Sequence, residues 1–90
     1  MRTVLAGLIL VCAMTSASAA TFGGYQCVPD CTVLKKGYEW AEEREVGSED
    51  LCLAILKRWP NAYSFYRGCL AYVADPERGG DEDDDGNDIE

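Results

Sequence analysis

This 90-residue chain contains no histidine. The side chain whose ordinary pKa lies nearest neutrality is therefore missing. With it go the usual general acid–base and any Ser-His or Cys-His nucleophilic pair. Bases are also scarce: eight Lys and Arg stand against sixteen Asp and Glu, a net charge of −8. A nucleic-acid surface needs clustered Lys and Arg, and this chain repels phosphate, so no nucleic-acid partner is expected. No apolar run reaches the roughly 20 residues that span a bilayer, so no membrane span is expected either.

The longest apolar run, Val4 to Met14, follows a short basic start, Met1-Arg2-Thr3, and precedes Ala17-Ser18-Ala19. That order is a charged end, a short apolar stretch and a small-x-small cleavage pattern, which is how export signals are built. Residues 1–19 are read as a signal peptide, so Cys12 is removed with it and the mature chain is periplasmic or secreted. Four cysteines remain, Cys27, Cys31, Cys52 and Cys69. An even number in a short exported chain reads as two disulfides. A zinc site wants two close pairs, and only Cys27 and Cys31 are close. Three pairings are open. Antiparallel packing of the first and last helices favours Cys31 with Cys69 and Cys27 with Cys52.

Composition changes at Pro76. Residues 20–74 hold seven acids and six bases, while 75–90 hold nine acids and Arg78 alone. The acidity thus belongs to the last 16 residues, read as a disordered acidic tail, and not to the 55-residue module at 20–74. A module of that size buries too little surface to be secure on apolar packing alone. Two disulfides, at roughly 2–4 kcal/mol each, match its whole expected net stability.

Helical spacing organises the module. Cys31, Leu34, Tyr38, Ala41 and Glu45 recur at three- and four-residue steps, predicting a helix over about 31–45, stopped by Gly47. Ser48-Glu49-Asp50 is a helix start, with a capping residue and acids in the first turn, and Pro60 closes that segment after about 49–58. Phe65, Cys69 and Tyr72 give a third helix, about 62–74, a buried face, ended at Asp75-Pro76. Thr21 to Tyr25 reads as an extended lead-in. The fold class is all-α: a small disulfide-stabilised helical hairpin or three-helix module.

The combination Y-x-C-x3-C-x5-G-Y-x-W-A-E-E, then a cysteine, then S-F-x3-C-x-A-Y, covers most of residues 25–72. It resembles a group of small exported bacterial proteins marked by D-C-S-G-H-x-A-G-Y-x-W-A-E and S-F-x-x-G-C-x-A-Y. The matching residues include Tyr25, Cys27, Asp30, Cys31, Gly37, Tyr38, Trp40, Ala41, Glu42, Ser64, Phe65, Gly68, Cys69, Ala71 and Tyr72. Where the group has S-G-H, this chain has Thr32-Val33-Leu34, so the group's histidine is absent. The resemblance implies a disulfide-bonded helical module in the envelope or outside the cell. It implies nothing about activity.

Three clusters are candidates for chemistry. Glu39, Glu42 and Glu43 could form a carboxylate pair, but Lys35 and Lys36 one turn away read as ordinary surface pairing, and no enzyme is expected. Trp59, Tyr63 and Tyr66, beside Arg58 and Pro60, are the aromatics expected to be partly exposed and to bind a partner, an unknown protein or envelope component. Leu53, Ile55, Leu56 and Trp59 exceed what a short helix buries on one side. Finally Asp81, Asp83 and Asp85, with Gly86 and Glu90, match the opening of a calcium loop. Five aspartates in ten residues make that match cheap, and the chain has no residue at the twelfth loop position. No cofactor is expected. The function read from the sequence is a non-catalytic, exported binding or structural protein. A calcium-responsive protein and a secreted toxin or effector are the alternatives.

Overall fold

A computed structural model describes residues 20–90; the expected signal peptide at 1–19 lies outside the described residues. The chain forms a two-stranded hairpin, β1 (Thr21–Phe22) and β2 (Tyr25–Gln26). Three helices follow, α1 (Thr32–Glu43), α2 (Glu49–Arg58) and α3 (Tyr63–Ala74). The mostly helical architecture is the expected one. The lead-in is not simply extended, however. Thr21 pairs with Gln26 and Phe22 with Tyr25 around a two-residue turn, Gly23-Gly24, whose φ angles of 60° and 86° suit the twist of a tight hairpin. The turn folds Phe22 into the interior, fully buried.

The dominant packing is α1 on α3. On α1 the spaced residues Leu34, Tyr38 and Ala41 are buried, with Gly37 among them. Gly37 is not merely tolerated there. A methyl group at that position would overlap the carbonyl oxygen of Phe65 on α3. The relation is reciprocal, since a methyl at Gly68 on α3 would overlap the carbonyl oxygen of Leu34 on α1. The two backbones therefore touch at a crossing that only glycine on each side permits. α2 packs on α3 and hardly on α1. It begins at Ser48, whose backbone is extended but whose side chain makes no capping bond, and it carries Glu49 and Asp50 first and Lys57 and Arg58 last, as its dipole favours.

α1 ends before Gly47. The amide of Val46 donates to the Ala41 carbonyl and that of Glu45 to Glu42. This is a Schellman closure with Glu45 in the left-handed position, φ 50°. Val46 drops into the same apolar cluster as Ala41. Gly47, where the stop was expected, makes no close approach to anything.

Two apolar clusters result. One gathers Phe22, Cys27, Cys31, Leu34, Tyr38 and Ala71. The other gathers Ala41, Val46, Cys52, Ile55 and Cys69. Each holds one disulfide, Cys27–Cys31 (Cα–Cα 4.7 Å) and Cys52–Cys69 (5.6 Å). The expected pairing of Cys31 with Cys69 and Cys27 with Cys52 is therefore corrected. Cys31 and Cys69 belong to different clusters. Cys69 faces α2, where Cys52 sits in the first turn.

The acidic segment is also corrected, because 75–90 folds back and is not a disordered tail. Tyr38, wholly buried, donates its hydroxyl proton to the Asp75 carbonyl (3.1 Å) and accepts the Gly79 amide (2.8 Å). Burial raises its pKa, with the Gly79 bond opposing. Its ring meets Phe22 and Tyr72 edge-on, at 5.7 and 5.4 Å. Ile89 returns to pack on the first cluster.

Two substitutions test this account. In an ordinary helix interior Gly→Ala stabilises by about 1 kcal/mol. Here Gly68→Ala is expected to destabilise by about 2–3 kcal/mol, because α1 and α3 must separate; a thermal melt reads the sign. Glu45→Gly is expected to raise stability by about 0.5–1 kcal/mol in the same assay, relieving the left-handed backbone.

Candidate functional site

Because α1 and α2 both rest on α3 and hardly meet, the space between them stays open. It is an apolar groove of about 480 Å³. Val33 and Trp40 of α1 form one wall, Ile55 and Trp59 the other, and Ala62 and Phe65 the remaining lining. Val33 and Trp40 are seven residues apart, two turns of one helix face. Trp40 is fixed by an edge-to-face contact with Phe65, 5.8 Å between centroids. Trp59 is placed by Pro60: a residue before proline is driven out of the helical region, and Trp59 closes α2 at φ −132°, ψ 87°. Its ring consequently stands at the groove edge, 57% exposed. A second depression of about 200 Å³, lined by Leu51, Ala54 and Arg58, shares Trp40, Ile55 and Trp59 with the first. The two are thus continuous.

The three aromatics singled out from the sequence are not one site. Trp59 lines the groove. Tyr63 is exposed (55%) but lies off the lining, tilted against Tyr66 at 5.7 Å and covered by Arg67. Tyr66 packs half-buried against the second cluster. Sequence reading missed Val33, Trp40, Ala62 and Phe65 as lining residues. A signal existed for two of them, since Val33 and Trp40 flank the buried stripe of α1 on the same side. Nothing local marks Ala62 or Phe65. As for the glutamates, Glu39 pairs with Lys35 (3.9 Å), one turn away, and Glu42 and Glu43 are exposed on α1.

The calcium-loop residues are only partly brought together: Asp83 and Glu90 line one open depression of about 280 Å³, with Asp30 and Asp88, while Asp81 and Asp85 lie outside it. Asp81 faces Lys35 at 3.7 Å. Asp83 turns its carboxylate inward on its own loop, accepting the amides of Asp85 and Asn87, both at 2.9 Å. These bonds hold its pKa below the usual value: the Asn87 amide contributes most, slight desolvation opposes, and the Asp85 amide adds to the lowering. Glu90, like Asp85, is exposed. Among the described residues no group of three or more acidic, cysteine or histidine side chains is arranged to hold a metal ion.

The anchoring carboxylate of this segment is one the motif passes over. Asp84 accepts the Gly23 and Gly24 amides and the Thr21 hydroxyl, each at 2.8 Å, and the Arg78 guanidinium at 2.7 Å. The two amides of the hairpin turn converge on one carboxylate, as in a backbone nest. Arg78 itself lies 3.8 Å from the centroid of Phe22. Partial burial pushes the Asp84 pKa up. Arg78, Gly24, Thr21 and Gly23 together reverse this and hold it far below the usual carboxylate range.

Comparison with protein-family models, with curated proteins and with solved structures finds no match to this chain. The structure by itself defines the class: a disulfide-bridged three-helix module whose amino-terminal hairpin is tied to its acidic carboxy-terminal segment.

A depressed carboxylate pKa stabilises the fold above the unfolded pKa, about 3.9 for Asp. That stabilisation is lost as pH falls through the folded value. Melting temperature is therefore expected to be flat from pH 7 to about pH 5 and to drop progressively below about pH 4. Asp84→Asn should cost about 1 kcal/mol at neutral pH, after discounting for solvent screening, and should flatten the acid limb.

Proposed function

We propose that this protein is a non-catalytic binding module that takes an apolar partner surface into the groove between α1 and α2. The observation carrying this reading is the groove lining itself. Six side chains from three helices and their ends converge there, none of them charged, while Trp59 in the groove and Leu51 in the adjoining depression remain more than half exposed. A small domain with few apolar residues to spare gains nothing in its own stability by leaving two such side chains in water. Contiguous exposed apolar surface rimmed by polar residues is the usual mark of an interaction site. Both disulfides fit an oxidising compartment, which supports an exported protein meeting an envelope or extracellular partner. No helix among the described residues is long and apolar enough to cross a membrane.

The test is Trp59→Ser against Leu53→Ser, a second exposed apolar residue that does not line the groove. Both variants should lose no more than about 1 kcal/mol of stability, as exposed positions do. Only Trp59→Ser should weaken binding of an apolar fluorescent probe, by about tenfold. Equal probe binding by both variants overturns the reading. So does a stability loss of about 3 kcal/mol for Trp59→Ser, which is the scale of emptying a core site.

A further inference from the structure

Resting on that reading, we infer that the occupant of the groove is an amphipathic helix of another protein with acidic residues flanking its apolar stripe. Two features select it. The first is that the six residues lining the main groove offer no strand edge and no charged side chain, Arg58 entering only at the adjoining depression. The walls are helices, whose main-chain groups are bonded internally, so a strand cannot be added there. A partner segment entering the groove must satisfy its own amides and carbonyls, which a helix does. The groove is also open, with Trp59 57% and Val33 40% exposed. An open groove suits a helix that buries one face and keeps the other in water, whereas an alkyl chain would stay largely wet.

The second feature is charge. Each tryptophan of the groove carries an arginine: the Arg44 guanidinium lies 4.7 Å from the Trp40 ring centroid and that of Arg58 5.2 Å from Trp59. Among the described residues the ion pairs are Lys35 with Glu39, Lys35 with Asp81, and Arg78 with Asp84. Arg44 and Arg58 belong to none of them. Lys36, three residues after Val33 and four before Trp40, adds a third cation on the same face of α1. Glu43, three residues after Trp40, and Asp50, four before Ala54, are acids close to these faces, two against the three cations. The margin is thus net positive around an uncharged floor, although the chain as a whole is strongly acidic. Arginines resting on indole faces are held in place beside the groove, ready to bond carboxylates bidentately. Carboxylates at the edges of an apolar stripe are their complement.

The chain holds two tryptophans, and both line the groove, so intrinsic emission reports occupancy without a label. The experiment titrates the purified protein, both disulfides formed, with synthetic leucine-striped helices free of Trp and Tyr. These are about 18 residues long, enough to hold a helix in water. One peptide has Glu along both edges of the stripe, a second has Lys there, and dodecanoate is the third probe. The Glu-edged peptide is expected to shift tryptophan emission saturably and to bind about fivefold or more tighter than the Lys-edged one. That preference should shrink in about 1 M salt and reverse in Arg44→Glu/Arg58→Glu. If the reversed variant fails to fold by circular dichroism, Arg44→Gln/Arg58→Gln replaces it and should abolish the preference. Equal binding of the two peptides overturns the charge inference and leaves the groove reading standing. Saturable binding of dodecanoate with neither peptide overturns the helix. Sedimentation showing a dimer lost in Trp59→Ser, with no peptide bound, makes a second copy the occupant and overturns the inference. No response to any probe, in a protein that stays monomeric, overturns both this inference and the groove reading.

Discussion

The structure depends on one close approach, the crossing of α1 and α3 at Gly37 and Gly68. At each glycine the other helix's carbonyl oxygen occupies the space where a side chain would otherwise stand. Helices ordinarily pack 8–10 Å apart, separated by side chains; here the backbones themselves meet. This matters more in a small module than in a large one. With little apolar surface to bury, closeness of approach substitutes for bulk. It also brings Tyr38 and Tyr72 together edge-on and lets Phe22 close over them.

From that crossing the two ends of the described chain become linked. Tyr38 fixes the exit from α3 through Asp75 and Gly79, and Asp84 then clasps the hairpin turn. The acidic segment thus contributes to the first cluster through Ile89 while leaving most of its carboxylates in water. Its repulsive charge is offset at Arg78 and Lys35, the two bases within reach. A segment so acidic buries little apolar surface beyond Ile89, and its order rests mainly on the Tyr38 bonds at its start and on one carboxylate presented to two amides, a hydroxyl and a guanidinium.

The groove is a by-product of the same arrangement. α3 lies between the other two helices, touching α1 through glycine and α2 through Cys69 and Ile55. α1 and α2 share the buried cluster of Ala41, Cys52, Ile55 and Cys69, and beside it a gap stays open. The gap is lined by the apolar residues left over on both, with a proline setting the angle of Trp59. The proposed function therefore rests on surface that the fold does not use.

The helices were legible because their signals are local. Leu34, Tyr38 and Ala41 fall on one stripe, Ser48-Glu49-Asp50 opens a dipole-complemented helix, and Asp75-Pro76 closes one. The four paired cysteines and the exposed Trp59 were legible for the same reason, since counting and spacing suffice. The disulfide partners were not, because pairing depends on which face of α3 bears Cys69, and that is set by a crossing the sequence marks only with two isolated glycines. Nor was the order of residues 75–90. Composition argues for disorder wherever charge is dense and apolar residues few, and although Arg78 is near in sequence, the other partners of Asp84, namely Thr21, Gly23 and Gly24, lie some sixty residues away at a hairpin turn. The groove joins Val33, Trp40, Ile55, Trp59, Ala62 and Phe65, no two of which are neighbours in sequence. Spacing along the chain determined which residues each helix would bury. Only the relative placement of three helices decided which apolar residues would be left facing one another across water.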